Sequence, residues 1–334
     1  MTIMKVVIIK YGALGDIIIS TPIIRKILDE HIEDQVYLLT SPDYAALFKD
    51  WPGLNVYQFP RKGFVNSVKT LYWLRQQKFD RVYDLQSNDR SRILCSFSAI
   101  KEKVGNHNHF PYTHHPGDRY SGQKHIFHRH NQLLNSIGIL NAETKPSLPI
   151  PDIAERQISL WLDKHALTKT KIVLMHAGAS LSHLNKRWPH FLDLAKKLNS
   201  VGYNILWLGS NDDLELNTNL AKHVGIDTSN CFNITELIAL GQRAEFAVTN
   251  DSGPMHVLSC AGIPVYAVFG PTNWRRNHAI GQLDHVLSLD KGNSVWSAEE
   301  NIQLDKTNLE LISAEMVFSL LIKENQIALK TLEQ

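Results

Sequence analysis

The sequence predicts an α/β fold made of two Rossmann-like domains, each built on a parallel sheet. Short apolar runs, such as residues 6–9 and 172–175, alternate with segments of helical periodicity, which is typical of β-α-β units. In each half, a loop containing glycine follows an apolar strand and opens a helix. Prolines concentrate in the segment 141–152, which predicts a linker. We therefore expect domains at 1–150 and 151–334, facing each other across a cleft.

The elements of the first half follow from its periodicity. After the strand at 6–9 and Asp16, apolar residues at helical spacing continue as far as Leu28. The stretch 105–122 has no period and many turn-forming residues, so it is predicted to be a long loop. The other patterns predict strands at 36–39, 56–59 and 81–84, and helices at 42–50, 65–77, 87–99 and 125–137.

The second half repeats this plan. A helix at 154–165 leads into the strand at 172–175. A terminal helix at 309–327 carries apolar residues at helical spacing and could pack back on the first domain. Further strands are predicted at 204–208, 246–249 and 265–269, and further helices at 192–198, 214–223 and 255–261.

Composition and charge exclude several function classes. The 334-residue chain has a net charge of +2, which argues against nucleic acid as a partner. With 43% hydrophobic and 20% charged residues, it is not a disordered chain. Its 3 scattered cysteines give neither a disulfide framework nor a common zinc pattern. No apolar run approaches the roughly 18 residues that span a bilayer, so we expect a cytoplasmic protein, and a monomer because nothing resembles a coiled coil.

The first candidate loop, residues 10–16, follows the first strand at the carboxyl end of the predicted sheet, where ligands collect. Gly12 and Gly15 would let the backbone turn tightly and a substrate approach closely. The pattern GxxGD is not a dinucleotide fingerprint. Asp16 has two interpretations that spacing alone leaves open: an N-cap of the following helix, or a general base that faces the cleft.

The second candidate loop, residues 176–189, occupies the matching position in the second half. Ser180 or Ser182 can donate hydrogen bonds to a phosphate group. Lys186 or Arg187 can supply the positive charge that a phosphate needs. The alternative is an ordinary exposed loop whose lysine is solvated.

Two further loops follow apolar strands in the second half, at 249–256 and 269–277. In the first, a side chain can cap the helix while backbone amides meet a pyrophosphate. In the second, a glycine and a hydroxyl could line a nucleotide pocket. The alternatives are that the histidine of the first loop is structural and that the second loop is a surface turn. The candidate ligand-binding residues are Asp251, Ser252, Gly253, His256, Gly270 and Thr272.

A histidine-rich segment lies within the long loop and the helix after it, between His107 and His130. A metal site is a tempting alternative there, but the spacing is irregular and no cysteine or carboxylate completes a known signature. The chain also lacks a DxD motif, so the sequence requires no divalent metal. We therefore predict no metal site and no cofactor.

These motifs resemble those of the bacterial lipopolysaccharide heptosyltransferases, glycosyltransferase family 9, which have the GT-B fold. The resemblance spans nearly the whole chain in the right order. It rests on the opening strand with residues 12–16 (GALGD), and on 186–189 (KRWP), 251–256 (DSGPMH) and 269–272 (FGPT).

The resemblance implies inverting, metal-independent transfer of a heptose or similar sugar from an ADP-sugar donor to a lipid-linked inner-core acceptor. It implies that Asp16 is the general base and that Lys186 contacts the donor phosphates. Ser252 stands where the family often has threonine, and the loop 176–185 differs in length and content from better-known members. Within the donor-binding motif, the matching residues are Asp251, Ser252, Gly253 and His256.

Acceptors of this class carry carboxylates and phosphates, so basic residues of the first domain are expected to meet them, with peripheral contact at the cytoplasmic face of the inner membrane. The alternative for each basic residue is that it lies on a solvated surface and binds no acceptor. Two other functions stay open: a non-catalytic nucleotide-sugar or anionic-glycan binding protein, and a sugar-nucleotide epimerase of similar architecture. The candidate acceptor-binding residues are Gly12, Gly15, Arg61, Lys62, Arg90 and Arg92.

Overall fold

The chain divides into two compact units, Met1–Pro149 and Ile150–Gln334, and each unit contains its own parallel sheet. Every helix among the described residues is too short or too polar to cross a lipid bilayer. The computed structural model describes residues 3–60, 63–118, 124–290 and 308–325.

The first unit is a parallel sheet with helices packed against it. Its described strands are β1 (Lys5–Ile9), β2 (Gln35–Thr40), β3 (Leu54–Gln58), β4 (Arg81–Asp84) and β5 (Glu102–Gly105). Its described helices are α1 (Leu14–Glu30), α2 (Pro42–Ala45), α3 (Phe64–Gln77), α4 (Asp89–Phe97) and α5 (Ile126–Asn135).

The central strand of the first sheet is β1, which pairs in parallel with β2 on one side and β4 on the other. Residues 6–9 are fully buried, as expected for a continuous apolar run in the middle of a parallel sheet. The strand order β3-β2-β1-β4-β5 changes direction between β1 and β4. Parallel sheets bind ligands at such a point, beyond the carboxyl ends of the strands. The loop after β1 therefore begins at the favoured binding position.

Helix α1 contains a proline in its interior, Pro22. Proline has no N–H, so the carbonyl of Ile18 loses its helical partner. The Thr21 hydroxyl takes the place of that partner, donating to the Ile18 oxygen at 2.8 Å. It also accepts a hydrogen bond from the Ser147 N–H at 3.1 Å. Thr21 thus satisfies the freed carbonyl and ties α1 to the segment that ends the first unit.

The second unit is a second parallel sheet with the strand order β11-β10-β9-β6-β7-β8, which changes direction between β6 and β9. Its described strands are β6 (Lys171–His176), β7 (Tyr203–Trp207), β8 (Ile226–Asp227), β9 (Phe246–Asn250), β10 (Val265–Val268) and β11 (Val286–Leu287). Its described helices are α6 (Asp152–Lys164), α7 (Phe191–Ser200), α8 (Leu214–Ala221), α9 (Ile234–Gly241), α10 (Gly253–Ser259), α11 (Trp274–Asn277) and α12 (Ala314–Glu324).

Several elements of the structure were not predicted from the sequence. The strands β8 and β11 have two residues each, too few to produce a periodic pattern. Strand β5 includes Glu102 and Lys103, so it lacks the apolar run that marks the central strands. Helix α9 was also missed. The unpredicted strands lie at the edges of the two sheets, where burial imposes the weakest pattern on the sequence.

The terminal helix begins later than predicted. A short 3-10 turn at Leu309–Leu311 comes first, and Ser313 then caps α12 by accepting a hydrogen bond from the Met316 N–H at 3.2 Å. The predicted end at 327 lies outside the described residues. Val317 and Leu321 belong to the core of the second unit, with residues of α7. Packing of this helix on the first domain stays a prediction.

We expect Thr21→Val to lower the free energy of unfolding by about 1–3 kcal/mol, because it leaves a buried carbonyl and an N–H without partners. Thr40→Val is the matched control. Thr40 is also fully buried, but its hydroxyl has no hydrogen-bond partner among the described residues. Removing that hydroxyl should therefore not lower the free energy of unfolding. Urea unfolding followed by circular dichroism measures both variants, and equal losses would contradict the role of Thr21.

Candidate functional site

In the first unit, Asp16 lies in the first turn of α1 and is exposed. The N-cap residue is Ala13, which makes no side-chain cap, so the interpretation of Asp16 as an N-cap is wrong. A carboxylate in the first turn interacts favourably with the helix dipole. Gly12 is buried and Gly15 is half-buried beside it. Within the described chain the Asp16 carboxylate accepts no hydrogen bond, so either of its oxygens is available to accept a proton from a ligand.

Lys10, which follows β1 directly, is a charged residue in the interior of the first unit. Its side chain is buried, and its Nζ donates to the Leu85 carbonyl at 3.3 Å. Burial lowers the pKa of Lys10, while the carboxylates of Asp16 and Asp84 counteract this change. Lys10 therefore interacts electrostatically with Asp16 from the buried side of the loop. It was not among the predicted site residues, although a lysine at the end of a buried strand is a usable signal.

The loop after β1 is fastened to the loop after β4. The Tyr11 N–H donates to Gln86 Oε1 at 2.9 Å, and the Tyr11 hydroxyl donates to Asn88 Oδ1 at 2.7 Å. The Tyr11 ring also packs edge-on against Phe59, with ring centres 5.4 Å apart. These contacts fix the backbone that leads into the first turn of α1.

Asp84, at the end of β4, fixes the conformation of the loop after β4 from its buried side. Its fully buried carboxylate accepts hydrogen bonds from the N–H groups of Gln86 and Ser87, at 3.0 and 2.9 Å. The Tyr112 hydroxyl donates to its other oxygen at 2.6 Å. Burial raises the pKa of Asp84, and these hydrogen bonds oppose the rise. Asp84 acts on the shape of the loop and is too deeply buried to meet a substrate.

The basic acceptor candidates are only partly described. Arg90 and Arg92 lie on α4, where Arg90 is exposed and Arg92 pairs with Asp89 at 3.0 Å. Arg61 and Lys62 lie outside the described residues.

In the second unit, the side chain of Asn250 holds two of the predicted loops together. Asn250 ends β9 and is fully buried. Its Nδ2 donates to the carbonyls of Ala177 and Gly178, both at 2.9 Å. Its Oδ1 accepts a hydrogen bond from the Trp188 N–H at 2.9 Å. The loop after β6 and the loop after β9 therefore meet at the point where the strand order changes direction.

Two predicted residues from different loops converge on the carboxylate of a third, Asp251. Lys186 Nζ lies 2.8 Å from Asp251 Oδ2, and the Thr272 hydroxyl donates to the same oxygen at 2.7 Å. The Asp251 side chain is 9% exposed, whereas that of Lys186 is 21% exposed. Because an ammonium has three N–H donors, Lys186 can still donate to a bound anion while it is paired with Asp251.

Ser252 is oriented by a chain of polar side chains. Its Oγ lies 3.1 Å from His176 Nδ1 and 3.2 Å from the Asn250 carbonyl oxygen. On the other side of the ring, His176 Nε2 lies 3.7 Å from Asp213 Oδ2. Burial alone would raise the pKa of Asp213, but the His176 ring and the Ser210 N–H lower it. The ionised Asp213 favours an Nε2–H tautomer of His176, which leaves Nδ1 to accept from Ser252.

Asp213 packs directly against the backbone of Gly178. A Cβ atom built at Gly178 would overlap the Asp213 carboxylate, so this close approach requires glycine. The Arg187 guanidinium lies 3.6 Å from the other Asp213 oxygen. Neither Asn250 nor Asp213 was predicted from the sequence. A buried polar residue at a strand end is the signal for Asn250, but no local pattern marks Asp213.

Ser180 and Ser182 form a separate, exposed cluster. Their hydroxyl oxygens lie 3.2 Å apart, and they lie 3.0 and 2.8 Å from His183 Nδ1. All three residues belong to the start of the 3-10 helix Leu181–Lys186 or precede it by one position. In the described structure they make no hydrogen bond to Lys186, so their part in binding a ligand together with the lysine stays a prediction.

The other predicted residues lie close by in the chain. Ser252 occupies the N-cap position of α10 but makes no side-chain cap, because its hydroxyl turns to His176. Gly253 is the first residue of that helix, and His256 is buried within it. Gly270 is half-buried after β10.

The second-unit site combines an ammonium with oriented hydroxyls at the carboxyl edge of a parallel sheet. Such a combination suits a phosphate or diphosphate group. Within the ranges that the structure describes, no group of three or more His, Cys, Asp or Glu side chains could hold a metal ion.

Comparisons with known proteins identify the family to which this fold belongs. The family model for "Glycosyltransferase family 9 (heptosyltransferase)" matches residues 69–305. Lipopolysaccharide heptosyltransferase 1 of Campylobacter coli is 23% identical over 347 aligned residues, covering 93% of this chain and 96% of its own.

Solved structures are similar over nearly the full chain. The glycosyl transferase family 9 protein of Veillonella parvula DSM 2008 has a TM-score of 0.83 at 22% identity, covering 97% of this chain and 98% of its own. The ADP-heptose LPS heptosyltransferase II of E. coli has a TM-score of 0.74 at 18% identity, covering 97% and 99%. The family model spans more than half of the sequence, which confirms the resemblance: the chain belongs to glycosyltransferase family 9, the heptosyltransferases, and has their GT-B fold.

Proposed function

We propose that this chain transfers a heptose from ADP-heptose to the lipid-linked inner core of lipopolysaccharide, with inversion at the anomeric carbon. The observation that carries the proposal is the convergence of Lys186, Asp251 and Thr272, from three loops, at the carboxyl edge of the second sheet. Membership of a heptosyltransferase family supports the sugar. Similarity in fold to the ADP-heptose LPS heptosyltransferase II of E. coli supports the donor.

Asp16 is the general base in this proposal. An acceptor hydroxyl attacks the anomeric carbon, so its oxygen forms the new glycosidic bond while the bond from that carbon to the diphosphate oxygen breaks. The hydroxyl proton passes to the Asp16 carboxylate, and ADP leaves with the bonding electrons. A single displacement of this kind inverts the configuration of the anomeric carbon. An exposed carboxylate without a hydrogen-bond partner in the described chain suits the role.

The second unit binds the donor in this proposal. Negative charge grows on the diphosphate as the bond breaks, and Lys186 is the cation that stabilises it. The Asp251 carboxylate would repel phosphate, so we assign it the task of orienting Lys186 and the Thr272 hydroxyl. Ser252 would become a further donor to the diphosphate by turning its single hydroxyl proton from His176 Nδ1 to a phosphate oxygen. Gly253, His256, Gly270, Ser180 and Ser182 complete the proposed donor-binding set.

The first unit receives the acceptor in this proposal. Gly12 and Gly15 allow a sugar to approach the first turn of α1, and Arg90 and Arg92 bind its anionic groups, as we also expect of Arg61 and Lys62. We place the enzyme in the cytoplasm, in keeping with its few scattered cysteines. We expect a monomer that needs neither a metal ion nor a cofactor.

We expect Asp16→Asn to lower turnover by about 10²- to 10⁴-fold, the usual contribution of a general base, while ADP binding stays unchanged. Asp152→Asn is the matched control, because Asp152 is also an exposed carboxylate in the first turn of a helix. Transfer from ADP-heptose is followed by mass spectrometry of the acceptor. Full turnover by a folded Asp16→Asn variant would refute the assignment of the base.

We expect Lys186→Met to weaken ADP binding by about 10- to 100-fold, since hydrogen bonds to charged groups contribute roughly 1.5–3 kcal/mol. Lys196→Met, which removes an exposed lysine from α7, should bind ADP as the wild type does. Isothermal titration calorimetry measures both dissociation constants. Unchanged ADP affinity in Lys186→Met would exclude this lysine from the donor site.

Transfer should continue at its full rate in excess EDTA, because the proposed stabilisation of the leaving diphosphate comes from Lys186 and hydroxyl donors. The assay compares initial rates with and without chelator after exhaustive dialysis. Loss of activity in EDTA, with recovery on adding a divalent cation, would contradict the metal-independent mechanism.

A further inference from the structure

Helix α3 packs Leu71, Trp73 and Leu74 on the core of the first unit but also carries apolar side chains on its solvent side. Phe64, Val68 and Tyr72, spaced by four residues on one side of the helix, are 83%, 49% and 64% exposed. Val65 beside them is 63% exposed. The fully buried residues of α3 are Thr70 and Leu74, on the opposite side. A surface helix of a globular protein normally presents polar residues on its solvent side.

The neighbouring helix α4 extends this apolar surface. Ile93 and Phe97, again four residues apart, are 56% and 57% exposed. Leu74 of α3 and Leu94 of α4 belong to one core cluster of the first unit, so both helices pack on the same core. The Arg75 side chain joins them directly, with its Nε donating to the Phe97 carbonyl at 2.8 Å. We call Phe64, Val65, Val68, Tyr72, Ile93 and Phe97 together the outward face.

The charged side chains around the outward face are mostly cationic. Helix α3 contains Lys69 and Arg75 and no acidic residue. On α4, Arg90 is exposed and precedes Ile93 by one helical turn, while the acidic Asp89 is paired with an arginine. The outward face is therefore apolar with a cationic border.

A groove of about 520 Å³ next to the outward face carries further cations. Arg75, Lys78 and Lys101 contribute to its lining. Its two acidic members already have partners: Asp80 accepts a hydrogen bond from a backbone N–H of β1 at 2.7 Å, and Glu102 pairs with an arginine of β4 at 2.6 Å. Lys78 and Lys101 form no ion pair within the described ranges. Negatively charged groups of a partner would therefore find unpaired ammonium groups here.

We propose that the outward face is a membrane-docking surface that binds a bilayer containing anionic lipid. Aliphatic and aromatic side chains enter the boundary between headgroups and acyl chains, and the flanking lysines and arginines attract lipid phosphates. This inference deepens the proposed function, because it assigns to the acceptor-side unit the surface through which it would meet a lipid-linked acceptor. An acidic protein partner would not require so many aromatic and aliphatic side chains on a convex helix.

The test is co-sedimentation of the full chain with vesicles of phosphatidylcholine alone and of phosphatidylcholine mixed with phosphatidylglycerol. We expect binding to the mixed vesicles, weakened by salt, and much less binding to the neutral ones. The double variant F64S/V68S should bind the mixed vesicles about tenfold or more weakly, and K69E should bind several-fold more weakly. Matched controls are I153S/L160S, which alters two exposed apolar residues of α6, and K196E. Both should bind as the wild type does.

Three outcomes would overturn this proposal: no binding of the wild type to mixed vesicles, equal binding by F64S/V68S, or a lipid-free dimer that F64S/V68S converts to a monomer. The last result, measured by sedimentation velocity, would assign the face to a second copy of the chain. Circular dichroism checks that each variant is folded. The vesicle assay needs neither donor nor acceptor, so its failure is distinguishable from failure of the proposed transfer, and D16N should bind vesicles normally.

Discussion

The second-unit site depends on the three hydrogen bonds of the Asn250 side chain. Two carbonyls and one N–H from the segment after β6 are paired by a single amide at the end of β9. An amide is the side chain that can donate and accept at once from such a position, and its complete burial makes each of these bonds costly to lose. Because Lys186 lies on one of the joined segments and Asp251 on the other, their ion pair requires this connection.

In each unit a buried charged residue interacts electrostatically with a more accessible residue of opposite sign. In the second unit, Asp251 is more deeply buried than Lys186, so the ammonium is the group that a ligand meets first. In the first unit the order is reversed: Lys10 is buried and Asp16 is exposed. A buried partner of opposite charge limits the cost of holding a charge in place. The accessible groups are therefore a carboxylate in the first unit and an ammonium in the second, which are the two charged groups that the proposed transfer uses.

The alternation of strands and helices was predictable from the sequence, and so were the loops at strand ends, because both are local patterns. Asn250, His176 and Asp213 were not predicted as site residues, since their contacts join positions far apart in the chain. Periodicity predicted α3 almost to the residue. It could not tell which side of α3 faces the core, where Thr70 is buried and Phe64 is not. Apolar residues occur on both sides of this helix, so the sequence pattern alone does not choose between them.

The contact between Gly178 and Asp213 couples two distant sequence positions. Gly178 has no room for a side chain while Asp213 keeps its carboxylate against the backbone. Asp213 in turn faces the His176 ring on which Ser252 relies. A larger residue at 178 therefore requires the Asp213 carboxylate to move or a smaller residue to replace it, and either change would alter the environment of the His176 imidazole. Substitutions at 178 and 213 are consequently expected to be non-additive, because each position decides how much space the other has.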